Sequence, residues 1–325
     1  MHELVLLLSR QAYEGYPTEY LLARLRGRRA DLGSDRLPHR DTIELTDAGA
    51  SLSYRAAAGG MTEAGAWDRM HAEFRWVYRQ MNEGLRNTFA PLFLWFEVRT
   101  ILICLRFRRG GERGKAAGIL ATSLLAEEIQ RVLAGEGEAT AVIDALAVLL
   151  AAIAEPYRDL GSIFRDRGGR EYEQRLVTLY LEQMTDLPLH PVLREFFRSV
   201  VDMRNLVTFA KQMRWQLHES GAFIRGGEIP PERIVKALEE GTTAGLVTLL
   251  GALPDMGELP AAPGNPEQLL LGWLTKKVRR IGRDPLGIGL VLDYLWKCFV
   301  EAHNLSLVLH CEDLDRETMR AELIR

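Results

Sequence analysis

The sequence is poor in the features that mark a catalytic or membrane-spanning chain. Three cysteines occur in 325 residues, Cys104, Cys298 and Cys311. An odd number without paired spacing gives no disulfide framework and fits a reducing compartment. There is no Gly-x-x-x-x-Gly-Lys-Ser/Thr loop, no His-Glu-x-x-His and no Gly-x-Ser-x-Gly, which removes P-loop nucleotide hydrolysis and the corresponding hydrolases. Gly287-Ile288-Gly289 lacks the third glycine and the preceding strand of a dinucleotide fingerprint. The longest interior apolar stretch, Ala141 to Ala154, is too short to span a bilayer and contains Asp144. The apolar run at the N-terminus is short and follows Glu3, unlike a signal peptide, so the reading is a soluble chain. A net charge of −3 and a pI near 6.2 leave no overall field for nucleic acid. No sustained two-residue alternation of β-branched residues appears, which predicts an all-α protein.

What the chain does contain is one short polar signature, three times over, inside apolar helical stretches. The copies are Glu97-Val98-Arg99-Thr100-Ile101, Asp202-Met203-Arg204-Asn205-Leu206 and Glu301-Ala302-His303-Asn304-Leu305. Each has an acid, a base two residues on, an amide or hydroxyl three on and a branched aliphatic four on. The copies start 105 and 99 residues apart, which suits a helical unit of roughly 100 residues used three times. On a helix the acid and the residue three later share a face, so Glu97 with Thr100, Asp202 with Asn205 and Glu301 with Asn304 form three polar spots. Apolar residues surround them, so the acids are expected indoors, where each needs a partner.

Two readings of these acids follow. In one, they pair with Arg99, Arg204 and His303 or with neighbouring helix ends and fix how the helices pack. In the other, Glu97, Asp202 and Glu301 converge as a carboxylate cluster for metal or proton chemistry. Di-iron bundles need Glu-x-x-His, which no copy has, so no metal or other cofactor is expected. In the third copy Asp293, Lys297, Glu301 and Asn304 form a stripe in which the lysine is placed to pair both acids. His310-Cys311-Glu312-Asp313 with Asp315 reads as a solvated helix end rather than a ligand set.

Residues 1–30 read as helical, with Tyr20, Arg24 and Arg26 on a basic face. A polar break runs from Gly33 to Gly49, a pause follows at Gly59-Gly60, and Thr62 caps a helix to Met81. The first signature helix is read as starting at Pro91. Arg109-Gly110-Gly111-Glu112 and Arg225-Gly226-Gly227-Glu228 repeat a tetrapeptide after the first and second signatures, in support of duplication. Pro231 is placed for the first turn of the next helix. Breaks near Gly135-Glu136-Gly137 and between Pro254 and Pro266 divide the chain into helical units 1–135, 136–254 and a shorter 255–325. The basic runs Arg24–Arg29, Arg106–Lys115 and Lys276–Arg283 read first as solvated helix faces, then as contacts for acidic protein loops or lipid head groups, and last as nucleic-acid sites.

Tyr20-x-x-Ala23-Arg24-x-Arg26, the recurring acid-x-x-Asn and the ending Tyr294-Leu295-Trp296-Lys297-x-x-x-Glu301-x-x-Asn304-Leu305, followed by 315–323, resemble the C subunit of archaeal-type and bacterial V-type ATPases. The eukaryotic counterpart is the d subunit of the membrane sector. Thr100 departs from the asparagine of the pattern. The resemblance implies three related helical bundle units around a pseudo-threefold axis, forming a funnel or socket. It implies a non-catalytic rotor part on the cytoplasmic face of the membrane, with the central stalk and the proteolipid ring as partners and membrane contact only through them. Tyr20, Arg24, Arg26, Asp202, Asn205, Glu301 and Asn304 then take structural or interface roles. The rival functional readings are an all-helical scaffold or adaptor outside the ATPase and the carboxylate enzyme.

Overall fold

The computed structural model describes residues 2–30, 62–216, 223–241, 243–257, 265–310, 318–319 and 322–324. Among these residues the protein is all α, with no strands and two isolated bridges, Leu8 with Leu125 and Tyr16 with Met81. The expected polar break at Gly33–Gly49, the Gly59-Gly60 pause and the Cys311–Asp315 cluster lie outside the described residues, as does most of the Pro254–Pro266 linker. The chain divides into two compact units, one of Met1–Thr18 and Phe74–Arg194, the other of Glu19–Glu73 and Glu195–Arg325.

The helices are α1 His2–Val5, α2 Thr18–Ala30, α3 Glu63–Gln80, α4 Glu83–Arg109, α5 Arg113–Leu120, α6 Glu127–Ala134 and α7 Ala139–Ala151. After a 3-10 turn at Glu155–Asp159 come α8 Leu160–Asp186, α9 Pro191–Trp215, α10 Pro231–Glu240, α11 Thr243–Gly251, α12 Pro266–Ile281 and α13 Gly289–His310.

In the first unit α4 is the hub, packing against α1, α5, α6, α7 and α8. It starts at Glu83 rather than Pro91, because the side chain of Asn82 accepts from the Leu85 N–H at 2.9 Å and caps the helix there. Pro91 lies inside it, and the Tyr180 hydroxyl donates to the Pro91 carbonyl. Edge-on contacts of Phe74 with Phe96 and of Tyr78 with Phe93, at 4.7 and 5.1 Å, lock its inner face. By length and composition alone α4 is apolar enough to cross a membrane, although Glu97 and Arg99 interrupt its apolar run; 72% of its most apolar stretch is buried within the protein. Its C-terminal bases have structural tasks. Arg106 pairs with Glu173, and Arg108 donates to the carbonyls of Leu133, Gly135 and Gly137 at the end of α6. Helix α8 is broken at Gly168, whose φ of 84° and ψ of −177° suit glycine alone.

The expected helix over residues 1–30 is two short helices with an irregular stretch between. There the backbone finds partners elsewhere: the Ser9 N–H donates to the Leu124 carbonyl, Tyr16 N–H to Gln80, and the Arg86 guanidinium to the Tyr13 carbonyl. Gly15, at φ 82°, passes so close that a Cβ would lie 2.0 Å from the Met81 carbonyl oxygen.

In the second unit α12 and α13 form the core through Leu270, Leu274, Val278, Leu292 and Leu295, all buried. The Trp296 indole N–H donates to the Thr275 hydroxyl at 2.9 Å. The Asn265 side chain caps α12, and Pro231 stands at the first turn of α10 as read from sequence. Thr62 accepts from the Gly65 N–H at the start of α3, also as read.

Candidate functional site

Each signature lies within a long helix, the first on α4, the second on α9 and the third on α13. In the first unit Glu97 is 3% exposed. Its Oε1 accepts from the Leu124 N–H at 2.6 Å and its Oε2 from the Ser123 hydroxyl at 2.7 Å, on the turn that enters α6. In the second unit Asp202 is fully buried. Its Oδ2 accepts from the Glu228 N–H and its Oδ1 from the Ile229 N–H, both at 3.0 Å, on the turn that enters α10. The separations along the chain are the same in both copies, 26 and 27 residues. A buried carboxylate thus fastens the turn before the next helix to the signature helix, and the donors on that turn offset part of the cost of its burial.

The amides act in a second, equally repeated way. Asn205 donates its Nδ2 to the Ile224 carbonyl and accepts from the Ile224 N–H, both at 2.8 Å, 19 residues on. Asn304 does the same to Ile324, at 2.9 and 3.0 Å, 20 residues on. Each amide satisfies both polar groups of one isoleucine backbone, as a neighbouring strand would. Thr100 offers no such pair, and its hydroxyl bonds Glu97 instead.

The third acid departs from this scheme. Glu301 pairs with Arg69 of α3 at 3.5 Å. The Lys297 ammonium donates to the Arg29 carbonyl at 3.0 Å at the end of α2, rather than bridging two acids as the stripe suggests. Asp293 is held by Arg29 at 2.8 Å. Nearby, Glu73 accepts from Arg28 and, at 2.7 Å, from the Tyr294 hydroxyl. The joining of α13 to α2 and α3 in this polar seam is invisible to sequence spacing, since Tyr294 lies 266 residues from Arg28 and 221 from Glu73 along the chain.

The bases of the first two signatures are not the partners of their acids. Arg99 and Arg204 are exposed, and His303 is half-buried with its ring 6.1 Å from Phe299. Of the four donors that take their place, three are backbone N–H groups and carry no side-chain signal; the fourth is the Ser123 hydroxyl. The repeated Arg-Gly-Gly-Glu tetrapeptide does not occupy equivalent positions in the two copies. Arg109 follows its acid by 12 residues and Arg225 by 23, so the two stretches are out of register. Gly110 and Gly111 end α4, whereas Gly227 lies against Asp202, where a Cβ would sit 2.3 Å from Oδ1. The structural duplicate of Glu228-Ile229 is Ser123-Leu124.

A comparison with protein families matches residues 49–322 to the ATP synthase (C/AC39) subunit family. The chain belongs to that family. No individual curated protein is significantly similar to it in sequence. The matched span of this ATP synthase subunit contains all three signatures. Tyr20, Arg24 and Arg26 precede it; Tyr20 is half-exposed, with the Arg24 guanidinium 5.7 Å from its ring centre.

Burial pushes Glu97 upward, against the bonds from Leu124, Ser123 and Thr100. Burial likewise drives Asp202 up to about 6 against its two N–H donors. A carboxyl raised in the folded state contributes stability that is present below its unfolded value, near 4, and lost as pH rises through 6. Between pH 4 and 7 the wild-type protein should therefore lose on the order of 3 kcal/mol relative to Asp202→Asn, from about two pKa units at 1.36 kcal/mol each. Urea titrations of both proteins at the two pH values measure this, and parallel pH dependences would refute it.

Among the described residues no three His, Cys, Asp or Glu side chains are grouped to hold a metal. Cys104 is buried, and burial pushes its thiol up to about 12, which makes it a poor nucleophile.

Proposed function

We propose that this ATP synthase subunit is a non-catalytic coupling part of a rotary V/A-type ATPase, a socket that links the central stalk to the membrane proteolipid ring during ion transport. The observation that carries the reading is membership of the C/AC39 subunit family over residues 49–322. The uses of the signature residues support it. Asp202, Asn205 and Asn304 spend hydrogen bonds on the chain's own backbone, and Glu97 on a backbone N–H and two neighbouring hydroxyls, as a rigid torque-bearing body needs.

In this reading the three signatures mark three related helical units, 1–135, 136–254 and 255–325, arranged about a pseudo-threefold axis as a funnel. The protein sits at the cytoplasmic face of the membrane and is held there by its protein partners.

The test is affinity purification of the tagged protein from its native membranes in mild detergent, with mass spectrometry of what accompanies it. Stalk subunits and proteolipid are expected together. Recovery of neither, from cells that contain an assembled ATPase, would overturn the coupling role.

A further inference from the structure

The outer face of α12 carries Lys276, Arg279, Arg280 and, just past its end, Arg283, a row at i, i+3, i+4 and i+7, all exposed. Arg280 is answered by Asp255. Among the described residues Lys276, Arg279 and Arg283 form no ion pair. The row continues inward to a crowded spot where one buried carboxylate, Asp293, faces Arg29, Arg279 and Lys297 from three helices. Lys297 is held below its ordinary value by burial and then by the repulsion of Arg29 and Arg279. Among the described residues, positive charge on this side of the second unit exceeds the carboxylates that face it.

Beside the row, the 282–288 connector presents Leu286, 73% exposed. The tip is held in shape: the Leu286 N–H donates to Asp284 Oδ1 at 3.0 Å, and Gly282 lies so near Asp293 that a Cβ would come within 2.4 Å of its Cβ. A leucine on a held backbone beside exposed cations is a pre-shaped contact, since little backbone ordering is needed on binding.

The geometry points to this face as the docking site for an acidic segment of another protein subunit, whose carboxylates pair with Lys276, Arg279 and Arg283 while an apolar side chain covers Leu286. An acidic helix with carboxylates at matching three- and four-residue steps presents the complementary row. A lipid surface fits less well. A single leucine supplies only about 1.5–3 kcal/mol of insertion, and Asp284 beside it would have to enter the head-group layer.

This inference rests on the subunit reading above. The test is carbodiimide cross-linking of the detergent-purified assembled complex, which joins lysine amines to carboxylates in contact, followed by mass spectrometric mapping. Lys276 is expected to link to an Asp or Glu of another subunit. The full-length Arg279→Glu/Arg283→Glu protein, checked for unchanged circular dichroism and melting, should recover the complex at least tenfold less well, and Leu286→Ala should weaken recovery in the same direction.

Links from Lys276 only to acids of its own chain, or undiminished recovery by the charge-swapped protein, would overturn the proposal. So would loss of binding to phosphatidylserine vesicles with complex recovery intact, which would assign the face to lipid. If the wild-type chain itself recovers no ATPase subunits, the coupling reading fails first.

Discussion

Asp202→Ala is expected to destabilise the protein by about 3 kcal/mol at neutral pH, since two backbone N–H groups lose their acceptors at about 1–3 kcal/mol each. The estimate sits toward the low side of the sum for two reasons. The Glu228 N–H is only partly buried, so water can reach it, and removing a buried charge also relieves its desolvation cost. Asp202→Asn keeps one acceptor and should lose less. The contrast is informative because a carboxylate serving catalysis or an external ligand would be released from compromise by its removal, and the protein would then gain stability. Denaturant titration of the three proteins gives the order directly. Equal stability of wild type and Asp202→Ala would show that the turn entering α10 needs no clasp.

Asn205→Leu and Asn304→Leu should each destabilise by about 2–4 kcal/mol, for each strands the N–H and the carbonyl of one buried isoleucine, Ile224 or Ile324. Leucine keeps the volume, so the loss reads the hydrogen bonds. Asn205→Asp is the sharper probe. It is isosteric, but it sets a carboxylate oxygen against the Ile224 carbonyl, and it should be as harmful as leucine. If the amides merely fill space, Asp at 205 would be tolerated. Hydrogen exchange of the Ile224 and Ile324 amides should quicken only in the variant of the corresponding asparagine.

Much of the fold was legible. Apolar residues at almost every position around Glu97 announced a buried helix, and Glu97 is buried as that patterning implies; Asp202 is buried as well and Glu301 nearly so. Thr62 and Pro231 marked helix starts because capping is written in side chains. Asn82 does the same work for α4, but Pro91 is the louder punctuation and drew the boundary eight residues too late. What could not be read was the other half of each clasp. Any residue but proline can donate a backbone N–H, as Leu124, Glu228 and Ile229 do, so Ser123-Leu124 and Glu228-Ile229 need share no letter to share a role. A shared string such as Arg-Gly-Gly-Glu can equally share no role. Arg99 and Arg204 were adjacent in sequence to their acids and so looked like partners, yet a two-residue step on a helix turns them to a different face.

The second unit is assembled from two stretches of chain separated by the whole of residues 74–194. During synthesis Leu21, Leu22 and Leu25, buried in the finished protein, emerge long before residues 195–325, which make up most of that unit. At about 5–20 residues per second the wait lasts on the order of ten seconds or more. The nascent chain therefore carries α2, with its three leucines, through much of its translation without the larger part of its own unit. A ribosome stalled near residue 194 would display that helix to chaperones, and a fragment ending there is expected to keep it exposed.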